Sequence, residues 1–330
     1  MKLAIFYNLP VGGALRVVKN QIKYLRKHHS VKVYCPSLPL SGNRLKRDWQ
    51  NFVSLSRLHR KLAQTIDRQG FDLCLAHPDW LTQAPFLLRF LNIPSIYYCE
   101  ELLRLAYEPE LGIPEDLTGY KRVYESLTRK LRQHLDRSNA QSAGLILTSS
   151  NFIQKQIKTH YHCQSLVCPP GVDTTVFKPA KIKPDQLLFI GQKAAINGWD
   201  LAKKLPFKVK VIDKHHLTDK ELALEYSKSY CALCLSRNEP FGLVSLESQA
   251  CQAPVIAINQ GGYRETVLDQ KTGFLIPSDY SALLTKVKLL IGKPQLRVKM
   301  GIMGRRHVSR HFTWKSHLDI LETSLTKLTR

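Results

Sequence analysis

The chain has 330 residues, 44% of them hydrophobic, and a formal net charge of +23 at pH 7. This length favours two domains of about 150 residues each, and the composition excludes a disordered or fibrous chain. The positive charge predicts an anionic partner, and charges interrupt every apolar run before it reaches the ~20 residues of a membrane span.

The first half alternates predicted strands and helices. Met1 to Asn8 is expected to be a strand and not a signal peptide, because its apolar run is too short. Apolar residues at spacings of three and four predict a helix after Gly12-Gly13, and the same pattern predicts one through Val123, Leu127, Leu131 and Leu135. Further strands are predicted at residues 31–34, 73–76, 95–99 and 145–148. This alternation predicts an α/β fold with a parallel, doubly wound sheet.

A segment rich in Pro, Gly and Lys over residues 169–184 is the predicted linker between two domains. Beyond it, strands are predicted at residues 187–190, 209–212, 231–235 and 255–258, so the second half is another α/β unit. The predicted domains are 1–168 and 185–311. A helix over about 312–330 is a candidate to pack back on the first domain.

Two Gly-Gly pairs, Gly12-Gly13 and Gly261-Gly262, directly follow predicted strands. In doubly wound sheets, ligands bind beyond the carboxyl ends of the strands, where glycine allows close backbone approach and helix N-termini attract anions. A tight turn without any ligand explains each pair at least as well, so neither pair alone predicts a site.

The segment from Glu239 to Glu247 places two carboxylates around a predicted helix start. Pro240 and Gly242 interrupt regular structure there, which would leave the N–H groups of Phe241, Gly242 and Leu243 available to a ligand. On composition alone, a helix-capping acid plus an unrelated surface acid is an equally good interpretation.

The sequence resembles the retaining glycosyltransferases of family 4, which have the GT-B fold of two facing Rossmann-like domains with a cleft between them. The resemblance rests on four stretches in a characteristic order, with Phe312-Thr313-Trp314 following near the end. They are residues 7–14, residues 149–177, the Glu-x7-Glu segment from Glu239 to Glu247, and Gly261-Gly262-Tyr263-Arg264-Glu265 with Thr272-Gly273-Phe274.

The resemblance implies a retaining transfer of a hexose-type sugar from a nucleotide-sugar to a glycan or lipid-linked acceptor. Domain 1–168 would bind the acceptor and domain 185–311 the nucleotide-sugar. Glu247 would bind the ribose hydroxyls, since a carboxylate accepts two hydrogen bonds from a diol. Glu239 would act as the catalytic-site carboxylate on the transferred sugar. No cofactor and no metal ion are expected, and the donor is a nucleotide-diphosphate sugar.

The resemblance also implies the remaining substrate contacts. The amides of Phe241, Gly242 and Leu243 would complete the sugar pocket, and Gly12-Gly13 would face the diphosphate. The family usually has an Arg and a Lys after the strand at 187–190, where this chain has Gln192 and Asn197, so Lys193 is the expected cation. At the end of strand 95–99 the family's His is replaced by Glu100, and His77 is a further acceptor-side candidate, although a surface or supporting His is the favoured interpretation.

A positive block covers residues 1–68, which carry 14 basic and 2 acidic side chains. Within it, basic residues from Arg44 to Lys61 accompany Trp49, Phe52, Leu55 and Leu58, a pattern that fits an anionic membrane surface. A core-packed helix with a solvated basic face fits equally well. We expect a cytoplasmic protein with free thiols, peripheral at the inner face of the membrane.

Other function classes stay open at the level of sequence. The replacements at Gln192, Asn197 and Glu100 fit a catalytically degenerate GT-B subunit that binds or assembles, and a nucleotide-sugar epimerase is a lesser alternative. A basic nucleic-acid-binding protein would explain the charge, but no recognition motif is present and no nucleic acid is expected. Cys231 and Cys234 lack a second cysteine pair and are expected to be buried thiols instead of zinc ligands.

Overall fold

The computed structural model describes residues 1–36, 38–108, 111–212 and 217–329. The chain divides into two compact units. Unit 1 comprises Met1–Ser149, Ile153–Cys168 and the residues from Ile320 onward, and unit 2 comprises Ser150–Phe152 and Pro169–Asp319. The proposed linker at residues 169–184 therefore lies wholly inside unit 2.

Unit 1 contains a six-stranded parallel sheet in the order β2-β1-β3-β4-β5-β6. Its strands are β1 Lys2–Asn8, β2 Ser30–Tyr34, β3 Leu73–Asp79, β4 Ser95–Cys99, β5 Leu145–Thr148 and β6 Leu166–Val167. Its helices are α1 Gly13–His28, α2 Arg44–Trp49, α3 Leu55–Arg68, α4 Arg104–Tyr107, α5 Gly119–Gln141 and α6 Asn151–His160. A π-helical turn joins α2 to α3 at Gln50–Ser54, and a short 3-10 turn covers Phe86–Arg89.

Helices cover both faces of this sheet, so its central strands are continuous apolar runs and do not alternate. All seven residues of β3 are buried, and Leu3 to Phe6 of β1 have no exposed surface. α1 presents Val17, Val18, Ile22 and Leu25 to this core. The apolar spacing that predicted α1 therefore marks the helix face that packs on the sheet.

Unit 2 contains a five-stranded parallel sheet in the order β11-β10-β9-β7-β8. Its strands are β7 Gln186–Ile190, β8 Val209–Ile212, β9 Ser229–Cys234, β10 Val255–Ile258 and β11 Gly273–Ile276. Its helices are α7 Trp199–Ala202, α8 Asp219–Ser227, α9 Leu243–Ala250, α10 Tyr263–Thr266, α11 Tyr280–Gly292 and α12 Pro294–His311, and α13 Trp314–Thr329 begins in unit 2 and ends in unit 1.

Residues of the proposed linker are fixed by specific contacts within unit 2. The Val172 N–H donates to the Phe312 carbonyl at 2.9 Å. A Cβ on Gly171 would lie 2.3 Å from the Trp314 nitrogen, so only glycine fits beside that turn. The Arg305 guanidinium donates to the carbonyls of Phe177 at 3.0 Å and Thr174 at 3.1 Å. This segment is thus an integral part of the unit 2 fold.

Two predicted features differ from the structure. The strand predicted at residues 73–76 continues to Asp79, so His77 lies inside β3 and not in the turn after it. The predicted strand that ends at Leu235 ends at Cys234, and Cys231 and Cys234 are buried within it. Over the described residues, no helix combines the length and apolarity that crossing a bilayer requires.

Candidate donor and acceptor sites

Three loops of unit 2 leave neighbouring strands at the same edge of the sheet. β10, β9 and β7 are adjacent and parallel, so the residues after their last positions meet at the carboxyl edge. These loops carry Gly261-Gly262, the Glu239 to Gly242 turn and Gly191 to Lys193 respectively. Ligands of doubly wound sheets bind at this edge.

The turn before α9 is shaped by its glycine. Gly242 has a φ of 102°, and a Cβ there would come within 2.9 Å of the Tyr263 ring. α9 begins at Leu243 without a side-chain cap. Among the hydrogen bonds of the described residues, none is donated by the N–H groups of Phe241, Gly242 or Leu243. The turn therefore presents three backbone donors at the positive end of an eight-residue helix.

Glu239 stands at the entrance to this turn and is half-buried. Its carbonyl accepts a hydrogen bond from the Gly262 N–H at 2.8 Å. Burial and then the negative charge of Glu239 raise the pKa of the Tyr263 hydroxyl well above its ordinary value, so carboxylate and phenol are close neighbours. The following carbonyl, of Pro240, accepts from Ser150 Oγ at 2.6 Å.

Glu247 is the fifth residue of α9, just over one turn from its start, and is only 2% exposed. Its Oε2 accepts a hydrogen bond of 2.8 Å from the hydroxyl of Tyr226, which has no exposed surface at the end of α8. Tyr226 could not be predicted from the sequence, because a lone aromatic at a helical core position is ordinary packing. One oxygen of the Glu247 carboxylate, Oε2, is therefore held by a buried hydroxyl.

The Gly261-Gly262 pair packs directly against the Glu239 turn. Gly261 has a φ of 56°, and a Cβ on it would lie 2.4 Å from the Glu239 carbonyl oxygen. A Cβ on Gly262 would lie 2.4 Å from the Phe241 Cα. Both glycines are thus explained by contact between two backbone segments, which the sequence could not separate from direct contact with a ligand.

The loop after β7 carries Lys193, the expected cation, together with Gln192 and Asn197. Lys193 is exposed, with its Nζ 5.5 Å from the Trp199 ring centroid. The Asn197 amide donates to the Gln192 carbonyl at 3.1 Å, which closes the loop on itself. Arg237, two residues before Glu239, reaches the same loop through the Ala195 carbonyl at 2.8 Å and Asp200 at 2.9 Å. Arg237 was not among the predicted site residues, although it adjoins the Glu-x7-Glu segment.

In unit 1, Gly12 and Gly13 form the turn from β1 into α1. α1 has 16 residues, no side-chain N-cap and no acid in its first turn. A Cβ on Gly12 would meet nothing within 4 Å, so packing does not account for this glycine. The turn lies at the carboxyl edge of the sheet, next to the end of β3, where Asn8 Nδ2 donates to the buried Asp79 carboxylate at 3.1 Å.

His77 and Glu100 lie on adjacent strands but in different environments. His77 has no exposed surface, and its ring lies 5.5 Å from the Tyr98 ring within the sheet. Glu100 follows β4 at the carboxyl edge, and its Oε1 is buried with no hydrogen-bond partner among the described residues. Burial, with a smaller contribution from Glu101, raises the pKa of Glu100 to about 8. A carboxyl group with this pKa keeps much of its proton at neutral pH.

The basic segment from Arg44 to Lys61 is helical throughout, but the π-helical turn at Gln50–Ser54 interrupts its α-helical periodicity. Trp49 is 54% exposed, whereas Leu55 is 1% exposed and packs in the core. The four apolar residues of the predicted stripe therefore do not all face the same way. The described residues include no group of three or more His, Cys, Asp or Glu side chains that could hold a metal ion.

Known proteins resemble this chain in sequence and in fold. The mouse alpha-1,3/1,6-mannosyltransferase ALG2 is 38% identical over 98 residues, which cover 30% of this chain and 24% of that protein. The match thus spans about a quarter of that relative. Sucrose-phosphate synthase from Thermosynechococcus elongatus superimposes with a TM-score of 0.78 at 16% identity, covering 98% of each chain. Anabaena Alr3699/HepE in complex with UDP-glucose gives a TM-score of 0.72 at 15% identity, covering 99% of this chain and 100% of that one.

At these identities the structural matches establish the fold, which is the α/β GT-B arrangement of two parallel sheets with flanking helices. The family profile described as "Glycosyl transferases group 1" matches residues 177–307. The profile described as "Glycosyltransferase Family 4" matches residues 11–176, which is half of the chain. The chain therefore belongs to Glycosyltransferase Family 4.

Proposed function

We propose that this protein is a retaining glycosyltransferase that moves a hexose-type sugar from a nucleotide-diphosphate sugar to a glycan or lipid-linked acceptor. The observation that carries the proposal is the turn before α9. It combines three N–H groups that donate to no acceptor among the described residues, a half-buried carboxylate at Glu239 and a positioned carboxylate at Glu247. Polyols need such acceptors, and anions need such donors.

Unit 2 is the proposed donor unit. Glu247 would accept hydrogen bonds from the ribose hydroxyls with the lone pairs that Tyr226 does not occupy, and Glu239 would accept from hydroxyls of the transferred sugar. The N–H groups of Phe241, Gly242 and Leu243 would bind oxygen atoms of the sugar. The relatives include an alpha-1,3/1,6-mannosyltransferase, and the similar structures include a complex with UDP-glucose, which supports a hexose donor.

The diphosphate needs positive charge as it departs. We assign this role to Lys193 and, through its position over the same loop, to Arg237. The amides at the start of α1, Gly12 and Gly13, are the proposed phosphate contacts of unit 1. Because N–H groups and cations can carry this charge, no divalent metal is needed in the proposed transfer.

In the proposed reaction, the bond between the sugar C1 and the phosphate oxygen breaks, and its electron pair stays on the diphosphate. The acceptor hydroxyl oxygen forms a new bond to C1 from the same face. Its proton passes to the departing phosphate oxygen, so no protein nucleophile is required. Preorganised charge and proximity would supply most of the rate.

Unit 1 is the proposed acceptor unit. Glu100 is its main candidate because it lies at the carboxyl edge with a buried, unpartnered Oε1. His77 is buried below this edge against Tyr98, so we propose a supporting role for it and no direct contact. A lipid-linked acceptor would bring the protein to an anionic cytoplasmic membrane face, in keeping with the charge of +23.

One observation favours a second function, that of a binding or assembly subunit without turnover. The Asn197 amide is used within its own loop, so the positions that normally carry cations supply none. A protein of this kind would bind a nucleotide-sugar and leave it intact.

The experiment is a panel of UDP-, GDP- and ADP-sugars tested by thermal shift and by release of free nucleotide diphosphate. We expect at least one donor to stabilise the wild type and to be slowly hydrolysed. Glu247→Gln should weaken nucleotide binding about tenfold or more, because a charge-assisted hydrogen bond is lost. Glu239→Gln should reduce turnover more than nucleotide affinity.

The matched control is Asp185→Asn, which removes an exposed carboxylate of unit 2 that pairs with surface Lys208 at 3.0 Å. It should leave donor binding unchanged. Stabilisation without hydrolysis by any donor would favour the assembly subunit, and no stabilisation by any nucleotide-sugar would refute the donor assignment.

A further inference from the structure

Helix α5 carries its apolar residues on the outside. A stripe of four side chains runs along one face at helical spacing, with exposures of 80, 59, 61 and 42%: Tyr120, Val123, Leu127 and Leu131. We call these four residues the α5 stripe. An amphipathic helix of a globular protein normally turns such a stripe towards the core. An exposed row of this kind marks an interaction surface.

The opposite face of α5 is polar and buried. Glu125, Thr128, Asp136 and Asn139 are each at most 8% exposed. Glu125 pairs with Arg44 of α2 at 2.6 Å, and Asp136 accepts from the Ala84 N–H at 2.9 Å. These bonds fix the rotation of the helix, so the α5 stripe faces outward because the polar face is held inward. The exposure is therefore a property of the fold.

The charges around the α5 stripe are positive. Lys121, Arg122 and Lys130 are exposed on the same helix. Both acids of α5, Glu125 and Asp136, lie on the buried face. Two exposed acids, Glu115 and Asp116, precede the helix by several residues. Apolar side chains with flanking cations fit an anionic lipid surface, whereas a second copy of this +23 chain would be repelled.

The position of α5 in unit 1 relates the α5 stripe to the carboxyl edge of the sheet. The helix connects the carboxyl end of β4 to β5, so it runs antiparallel to the strands. Asp136 lies beside Cys99 at the end of β4, where its charge helps to raise the pKa of that thiol. Since α5 has 23 residues and is about 34 Å long, the turns before Asp136 extend past the carboxyl edge of the sheet.

We propose that the α5 stripe and its flanking cations dock unit 1 on an anionic lipid bilayer. This inference rests on the proposed function in one respect, which is that the carboxyl edge of unit 1 binds the acceptor. Docking through α5 would bring that edge to the membrane surface, where a lipid-linked acceptor presents its headgroup.

The test is co-sedimentation of the full chain with phosphatidylcholine vesicles, with and without phosphatidylglycerol as roughly a third of the lipid. The wild type should bind the anionic vesicles. The triple substitution Val123→Ser, Leu127→Ser and Leu131→Ser should lower binding about tenfold or more, since it removes the inserted apolar area. Lys121→Gln with Lys130→Gln should weaken binding to anionic vesicles several-fold and make it less salt-dependent.

The matched control is Val298→Ser with Ile302→Ser, two apolar residues of α12 in unit 2 that are 58% and 46% exposed. This pair should bind vesicles like the wild type. Circular dichroism and the donor-induced thermal shift should be unchanged in every variant, which separates a failure of docking from a failure of the donor site. Equal vesicle binding by the triple variant, no binding by the wild type, or a dimer that only the triple variant loses would overturn the proposal.

Discussion

The hydrogen bond between Tyr226 and Glu247 ties a proposed substrate ligand to the interior of unit 2. Both side chains are buried, and the 2.8 Å bond selects one orientation of the carboxylate. Tyr226 touches no proposed substrate atom, so it is a positioning residue. Its effect on the ligand site would operate only through Glu247.

Tyr226→Phe removes this hydrogen bond and keeps the ring. We expect nucleotide affinity to fall by about 1–2 kcal/mol, because the Glu247 carboxylate loses a buried donor and its fixed orientation. Isothermal titration with the donor found in the panel would measure this loss. Tyr230→Phe is the control, since that hydroxyl has no hydrogen bond among the described residues. In the Glu247→Gln background the Tyr226 effect should disappear, and an undiminished effect would count against positioning.

Glu100 gives a prediction for stability against pH. Its folded pKa of about 8 is higher than its ordinary 4.5. Between these two values the unfolded chain has lost the proton and the folded chain keeps it, so the Glu100 contribution to stability falls as pH rises. Glu100→Gln cannot lose a proton. Its free energy of unfolding, relative to the wild type, should therefore rise by on the order of 2–4 kcal/mol between pH 5 and pH 8.

Urea unfolding of both proteins at several pH values would test this. Glu115→Gln, which removes an exposed carboxylate of unit 1, should follow the wild type across the same range. Parallel curves for the wild type and Glu100→Gln would contradict a raised pKa at this position.

Among individual residues, the turn at Glu239 to Gly242 and the helix start after it could be predicted from the sequence, but the residues around them could not. Spacing and turn chemistry are local, so they indicated the helix start at Leu243 and the free N–H groups. Tyr226 reaches the segment from α8, and Arg237, which precedes the segment in the chain, contacts Ala195 and Asp200 through tertiary packing. Such contacts leave no local pattern in the sequence.

At the scale of elements, the two loops at Glu239 and Gly261 interlock. Gly261→Ala would place a Cβ 2.4 Å from the Glu239 carbonyl oxygen, at a φ of 56° that disfavours alanine. We expect a loss of stability of about 2–4 kcal/mol and weaker donor binding, because the Glu239 turn must move. Chemical unfolding and donor titration would measure both effects.

Gly292→Ala is the matched substitution, because its Cβ would meet no atom within 4 Å at the end of α11. It should be neutral or stabilise by about 0.4–1 kcal/mol. If Gly261→Ala behaved like Gly292→Ala, the interlock would not matter to the donor site.

Helix α5 illustrates what periodicity can and cannot predict. The spacing of Val123, Leu127 and Leu131 predicted a helix, and that helix is present. The same spacing would place these residues in the core, yet they are exposed. Ion pairs and hydrogen bonds from α2 and from Ala84 decide the rotation of the helix, and a helical period contains no information about those partners.

For the whole molecule, alternating strand and helix patterns predicted two parallel α/β units, and the six- and five-stranded sheets confirm the α/β fold. The order of the strands within each sheet could not be predicted from the sequence. It depends on how each connecting helix crosses the sheet to the next strand. The segment at residues 169–184 stays a predicted connector, although the structure packs it within unit 2. Its Pro and Gly content indicates irregular backbone. Composition alone does not distinguish irregular backbone that is hydrogen-bonded by Arg305 from a free linker.

The contact between Gly261-Gly262 and the Glu239 turn also matters for protein engineering. The two segments are 22 positions apart in the sequence, counting from Glu239 to Gly261, but their backbones leave no room for a side chain between them. A recombination that imports the acidic turn from a homologue with another sugar preference would need to bring the glycine pair along. The two segments together form one exchangeable cassette.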